Sequence, residues 1–439
     1  MEWLLSWEWF APLVMLVSFV ILVFAGVPIS FSIGISTIVT GFFILPWNIV
    51  LLTAGQKMAT GLDSFSLLAI PFFILAGSLM NSGGIAIRLI NFSQVLVGRI
   101  PGSLGHVNVL ANMMFGSISG SAVAAAAAVG GTMAPIQKKA GYDPAYSAAI
   151  NVTSCISGLL IPPSNVMIVY ALTAGGMSVA TLFMAGYLPG ALMGLSIMVV
   201  NFILAKKRGY PVSDKITFSI FMKYTLDAIP SILMVIVVIG GILGGIFTAT
   251  EASAIAVVYT FVLSVIIYRE IKLKDLPKII LDAVVTTSIV LFLVSVSVAM
   301  SWIMTSADIP FMINELLTSI SDNLYVILFI INVILLVIGV FMDMTPAVLI
   351  FTPIFLPIVT DLGMDPIHFG IMMIFNLCIG LCTPPVGSAL FVGCSVAGVR
   401  LQDIIKPMLP FFIVLLVSLL AVTYIPQISL FLPNLLGIV

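Results

Sequence analysis

The sequence predicts an all-α polytopic membrane protein built as an inverted structural repeat, with two re-entrant helical hairpins and two broken helices. Three observations carry that expectation. The composition is almost free of charge, four apolar segments are interrupted midway by Gly, Ser, Pro or Asp, and a motif recurs at a constant offset that takes Gly158 to Gly380.

Of 439 residues, 61% are hydrophobic and 8% charged. A soluble domain carries roughly a quarter charged residues. This chain has too few to make a water-facing surface, so lipid must solvate most of it. The net charge of -1 argues against nucleic acid as a partner. Cys155, Cys378, Cys382 and Cys394 lie in apolar segments, with no CxxC spacing and no histidine near the 378/382 pair; they read as small core residues. Two histidines, His106 and His368, are too few for a histidine-based zinc site.

Residues 1–10 lack the basic region of a cleavable signal and carry Glu2 and Glu8, while Trp3, Trp7 and Trp9 suit an interfacial anchor. Apolar runs of spanning length begin near Ala11, Val27, Phe65, Ala180, Ile229, Ala252, Leu281 and Ile404 and predict ordinary membrane helices. The interrupted segments are 106–138, 145–174, 324–360 and 367–397. Breaks at membrane depth are tolerated only where backbone lines a cavity or is buried in protein.

Charge placement sets the topology, because Lys and Arg favour short cytoplasmic loops. Arg88 and Arg99 precede the first interrupted segment and Lys138 and Lys139 follow it, so it enters and leaves on the cytoplasmic side, as a hairpin does. The basic loops at 206–223 and 269–278 fall on that side too, as do Arg400 and Lys406; of 16 basic residues only Lys57 falls outside. The third interrupted segment is flanked by Glu315, Asp322, Asp361 and Asp365 and enters from the opposite side. Both termini then lie outside the cytoplasm. A pair of short full spans in place of each hairpin has the same parity.

The repeat pairs APIQKKAGYDPAYSAAINVTSCISGLLIPPS, from Ala134, with LPIVTDLGMDPIHFGIMMIFNLCIGLCTPPV, from Leu356. Without a gap, Pro135, Gly141, Asp143, Pro144, Gly158, Pro162 and Pro163 match Pro357, Gly363, Asp365, Pro366, Gly380, Pro384 and Pro385. A weaker match at offset 219 pairs Gly26 with Gly245. Because the two hairpins enter from opposite sides, the repeat is inverted. Paired broken helices in inverted repeats are a signature of secondary transporters with sites near the bilayer midplane.

The breaks carry the chemistry. The first hairpin tip spans Phe115 to Ser121 and contains Ser117, Ser119 and Gly120; its facing break runs from Gly158 through Ile161 and the tandem prolines to Ser164 and Asn165. Prolines remove backbone donors and free carbonyls one turn earlier. Carbonyl and hydroxyl oxygens suit a hard cation such as Na+. The second tip runs from Gly339 through Asp343 to Pro346, facing Gly380, Thr383 and Val386. Offset 222 pairs Ser117 with Gly339, Ile161 with Thr383 and Ser164 with Val386. Two symmetry-related cation sites are therefore expected, one per half. Close helix packing by small residues is the plainer reading of any single break. Asp343 suits either a cation ligand or a helix cap, its counterpart being Ser121. Glu251, behind Thr248 and Thr250, suits helix-start chemistry rather than catalysis.

These motifs resemble the large membrane subunit of TRAP transporters, the DctM-like family of the ion-transporter superfamily, over nearly the whole chain. The resemblance rests on GSISGSA from Gly116, APIQKKAGYDPAYSAA, IPPS at Ile161, GIFTATEASA from Gly245, GVFMDMTPA from Gly339 and TPPVG at Thr383. Ala249 departs from the family's FTPTEA pattern, which affects only that turn. The resemblance implies an elevator-type, Na+-driven importer of the bacterial inner membrane. Its substrates would be small organic anions such as sialic acid, other sugar acids or C4-dicarboxylates. Its partners would be a separate small membrane subunit and a periplasmic substrate-binding protein. It implies scaffold helices and an arm over 1–100, a transport-domain hairpin and broken helix over 101–178, second scaffold and arm over 179–322, second hairpin and broken helix over 323–399, and a C-terminal helix over 400–439. Carried over, one Na+ site falls on Ser117, Ser119, Gly120, Gly158 and Ile161, and another on Gly339, Asp343, Gly380, Thr383 and Val386. Substrate then lies near Ser119, Ser164 and Asn165.

Other classes fit less well. A serine protease needs a positioned base, and Ser117-Ile118-Ser119-Gly120 lacks the glycine of a GxSG nucleophile. A channel would not pair its breaks across a midplane. A stand-alone Na+-coupled carboxylate carrier of similar fold, needing no binding protein, differs from the TRAP reading mainly in its partners.

Overall fold

The computed structural model describes residues 9–213 and 217–438, so Trp3, Trp7 and Lys215 lie outside the described residues. The first half runs through α1 (Phe10–Phe24), α2 (Ile29–Ile44), an arm helix α3 (Trp47–Thr60) and α4 (Ala69–Ser82), which is led in by the 3-10 turn Phe65–Leu68. It continues with a surface helix α5 (Ile85–Val97), hairpin arms α6 (Ser103–Ser119) and α7 (Ala122–Lys139), and a broken helix. The broken helix comprises α8 (Pro144–Ser154), the 3-10 turn Ser157–Leu160 and α9 (Asn165–Thr173). A long helix, α10 (Val179–Arg208), closes this half.

The second half repeats the order. It has α11 (Phe218–Leu243), α12 (Ala249–Phe261, continued by the π turn Val262–Ile267), α13 (Leu276–Ser306) and α14 (Ile309–Ile320). Hairpin arms α15 (Leu324–Phe341) and α16 (Met344–Asp361) follow, then a broken pair α17 (Pro366–Leu381) and α18 (Ser388–Ala397), then α19 (Leu401–Tyr424) and α20 (Gln427–Leu435). Eight described helices are long and apolar enough to span, matching the expected number but not the expected set. Helices α1 and α2 are shorter than that, whereas both arms of the second hairpin qualify. Helices α10 and α19 begin at Val179 and Leu401, the same offset as the breaks, and extend the repeat beyond the recognised motif.

Local chemistry explains the repeated identities. Asp143 and Asp365 are N-caps followed by proline at the first helical position, where a missing N–H costs nothing. The Asp143 carboxylate accepts from Ala145 N at 3.1 Å, and that of Asp365 from Ile367 N at 2.8 Å and His368 N at 3.1 Å. Gly141 and Gly363 turn the chain into these caps at φ of 83° and 91°, in the left-handed region that favours glycine. Thr248 and Glu251 form a capping box that starts α12: Thr248 Oγ1 accepts from Glu251 N at 3.2 Å, and Glu251 Oε2 accepts from Thr248 N at 2.8 Å. Thr250 instead donates to Phe65 O. All four cysteines are buried.

Cross-contacts define two faces. On one, Arg88 pairs with Glu270 and lies over Tyr268, Ser213 bonds Ser103 and Gly98, and Arg208 pairs with Asp143. The base of the first hairpin therefore shares a basic face with the ends of α4, α10 and α12. On the other face, Tyr424 Oη donates to Tyr325 O, Tyr170 Oη to Pro366 O and Thr250 Oγ1 to Phe65 O. The base of the second hairpin lies there. The hairpins enter from opposite faces, so the repeat is inverted.

Candidate functional site

Both tips meet. A cavity of about 300 Å³ is lined by Ser119, Gly120 and Ser121 of the first tip and by Asp343 and Thr345 of the second, with Asn165 of the first break. Hairpins based on opposite faces can share a cavity only if each stops partway, so both are re-entrant rather than paired full spans.

Each tip packs on its own break through glycine. A Cβ added to Gly158 would lie 2.5 Å from Gly116 Cα, and one added to Gly380 would lie 2.6 Å from Gly339 Cα. This contact relates Gly116, not Ser117, to Gly339, so the tips differ by one residue from the offset of the breaks. The first tip uses its extra residue to end α6 at Gly120, where φ is 63°. Ser121 then caps α7, its hydroxyl accepting from Ala124 N at 3.2 Å. In the second tip the Asp343 Oδ1 accepts from Met344 N at 2.8 Å.

The two breaks are alike in detail. Ile161 N donates to Gly158 O at 3.1 Å and Thr383 N to Gly380 O at 3.0 Å. The Pro162–Pro163 and Pro384–Pro385 bonds are both cis. The carbonyls of Leu159 and Leu381 face tandem prolines where a helical turn would supply donors, so they have no local partner. The bend of the first broken helix is 49°.

The candidate residues distribute unevenly. Ser119, Gly120, Asn165 and Asp343 line the shared cavity. Ser117 donates to Met114 O at 2.9 Å, and with Gly158 belongs to the tip–break contact outside the cavity lining, while the Ile161 side chain packs toward Gly190 of α10. Ser164 is 1% exposed, its hydroxyl has no partner, and it stands outside the cavity lining. Gly339, Gly380 and Thr383 form the second contact, with Thr383 Oγ1 donating to Ile379 O at 2.7 Å, while Val386 is exposed. The histidines are elsewhere: His106 bonds Pro101 O at the hairpin base, and His368 bonds Ser429 and Thr423 near the opposite face.

Among the described lining residues Asp343 is the one charged side chain. The positive potential comes from helix N-termini, because α7, α9 and α16 all begin at this cavity. Sequence reasoning missed the opposite wall, where Gly77, Ser78 and Asn81 of α4 and Thr286 of α13 face the tips. These positions lie toward the basic face. A second cavity, of about 590 Å³, is lined by Lys57, Ser64, Gly176, Trp302 and Thr305, further along α13 toward the other face, between α13, the end of α3 and α9. Nothing in the local sequence of α4 or α13 marks these residues; only the packing does.

An inverted repeat with paired broken helices, whose two hairpin tips and first broken helix converge on one cavity, defines a secondary-transporter class of membrane protein. More narrowly, the chain belongs to the DctM family: the family described as the tripartite ATP-independent periplasmic transporter, DctM component, matches residues 16–428. It is 56% identical over 432 residues to YgiK of Salmonella typhimurium, covering 98% of this chain and 99% of that one. It is 37% identical to the sialic acid TRAP transporter large permease protein SiaM of Vibrio cholerae, with 94% and 96% covered. It is also 37% identical to the C4-dicarboxylate TRAP transporter large permease protein DctM of Rhodobacter capsulatus, with 95% and 97% covered. The fold resembles the YdaH transporter of Alcanivorax borkumensis, at a TM-score of 0.60 and 14% identity over 89% of this chain and 88% of that one. The protein is a multi-pass component of the bacterial inner membrane.

Proposed function

We propose that this chain is the large transmembrane subunit of a Na+-coupled, binding-protein-dependent TRAP importer of small organic anions, working by an elevator movement. The observation that carries the reading is the shared cavity, where both tips and three helix N-termini converge beside a single carboxylate. An anion there gains from the helix ends but meets Asp343 without any cationic side chain among the described lining residues. Two bound cations would balance that charge and supply the driving force. Neutral oxygens near Gly158 and Gly380 suit Na+ as the co-transported ion, and the relatives named for sialic acid and C4-dicarboxylate suggest the anion class.

The moving body in this reading is the two hairpins and broken helices, 101–178 and 323–399, together with α19 and with α10, which was expected in the scaffold over 179–322 but packs along α6, α8 and α17. The scaffold is α1–α4 and α11–α13. Cavities toward both faces along α13 are what a body sliding along that helix would exchange. A separate small membrane subunit and a periplasmic binding protein complete the system.

The test is reconstitution in liposomes with the small subunit, using sialic acid and succinate as probes. Uptake of one probe should require both an inward Na+ gradient and its binding protein. Uptake that needs neither overturns the reading; uptake that needs Na+ alone supports a stand-alone carrier instead.

A further inference from the structure

We infer that each half contains a buried carboxamide staple that positions its cation site, with Asn112 and Asn376 as the positioning residues. The inference rests on the Na+-coupled reading above. In the first half Asn112 Nδ2 of α6 lies 2.8 Å from Ser154 Oγ, 3.1 Å from Asn151 Oδ1 and 3.0 Å from Asn108 Oδ1. In the second half Asn376 Nδ2 of α17 donates to Asn332 Oδ1 at 2.7 Å and Asn332 O at 2.9 Å. Asn112 and Asn376 are fully buried.

Ser154 and Asn376 are equivalent at offset 222, so both halves place a polar staple between the first hairpin arm and the same level of the broken helix, although on the arm Asn332 stands a turn further from Gly339 than Asn112 does from Gly116. That level is one helical turn before the glycine contact: Asn112 precedes Gly116 by four residues, Ser154 precedes Gly158 by four, and Asn376 precedes Gly380 by four. Residues four apart stack on one helix face. A ligand constellation works only when held within roughly 0.5 Å. Glycine backbones in contact have no side chains with which to set register, so the amides one turn away set it.

The halves differ in their second arm. Asn151 Nδ2 also donates to Ala126 O of α7 at 2.9 Å, tying all three segments together. Its counterpart, Met373, offers α16 only a sulfur contact, 3.6 Å from Thr352 Oγ1. The second site depends more on its single staple.

The experiment follows thermal unfolding of the purified full chain across a Na+ titration, with choline replacing Na+ at constant ionic strength. The wild-type chain should be protected by Na+. Asn112→Ala and Asn376→Ala should raise the half-saturating Na+ concentration, the latter by about fivefold and more than the former. Asn376→Ser, which supplies the hydroxyl used at Ser154, should recover most of the wild-type value and carries the test if the alanine variants fail to fold. Lower melting with unchanged Na+ half-saturation would mean ordinary core packing and overturns the inference. A wild-type chain with no Na+ response removes the coupling reading itself, and the inference with it.

Discussion

Gly77 of α4 lies directly against the carbonyl of Ser119 at the first hairpin tip: a Cβ added to Gly77 would sit 2.7 Å from that oxygen. The contact joins a scaffold helix to the part of the proposed moving body that faces the cavity. A tip sliding past α4 needs a smooth surface there. Gly77→Val should reduce uptake by about tenfold or more, since overpacking typically costs about 1–3 kcal/mol. Na+ protection through the second site, at Gly339, Gly380 and Thr383, should persist, because the added side chain meets Ser119 of the first tip alone. Uptake at the wild-type rate would show that the seam at Gly77 does not move.

Gly158 and Gly380 meet backbone, not flexible side chains, so their neighbours cannot yield cheaply. Gly158→Ala and Gly380→Ala should each abolish Na+-dependent protection while leaving a helical, membrane-inserted chain. Gly55→Ala is the matched control, because nothing lies within 4 Å of a Cβ at that position. Equal behaviour of the three variants in a Na+ titration would refute the assignment of the breaks as cation sites.

The hairpins and breaks were legible because membrane helices rarely carry Gly, Pro and Ser in the same register in both halves of a chain, and those residues act locally. Asp143 and Asp365 announce helix starts whatever surrounds them. What stayed hidden depends on three-dimensional packing. The α10–α19 equivalence lacks Gly or Pro landmarks. The one-residue difference between tips appears only when Gly116 and Gly339 are seen touching the breaks. The scaffold wall, Gly77 to Asn81 and Thr286, reads as plain apolar helix. Asn112, Asn332 and Asn376 are single amides in apolar runs, and no local rule tells a lone amide that staples two helices from one that merely satisfies itself.

Asp343 combines two roles that substitution can separate. Its carboxylate accepts from Met344 N at 2.8 Å, a cap bond that asparagine can also make. Asp343→Asn should therefore melt near the wild-type temperature. It also removes the one charged side chain among the described cavity residues. Loss of a charged oxygen from a cation site is worth about tenfold in affinity, on the scale of hydrogen bonds to charged groups. Asp343→Ser, which copies Ser121 of the first half, should behave alike. Unchanged Na+ half-saturation in both variants would leave capping as the whole role of this residue.

Tyr170 joins the two broken helices toward the face where the second hairpin is based. Its ring is fully buried, its hydroxyl donates to Pro366 O at 2.6 Å, and Gly370 leaves room for the ring against α17. The contact ties the end of α9 to the start of α17 on the face away from the tips. Tyr170→Phe keeps the ring and removes the hydrogen bond between α9 and α17, a loss of about 0.5–1.5 kcal/mol. Gly370→Ala would displace the ring and should destabilise the chain more. Both changes fall outside the cavity lining and the two candidate cation sites and should lower the melting temperature without moving the Na+ half-saturation. A shift in Na+ affinity from Tyr170→Phe would instead mean that the two sites communicate through this contact, and the body would not be moving as a rigid unit.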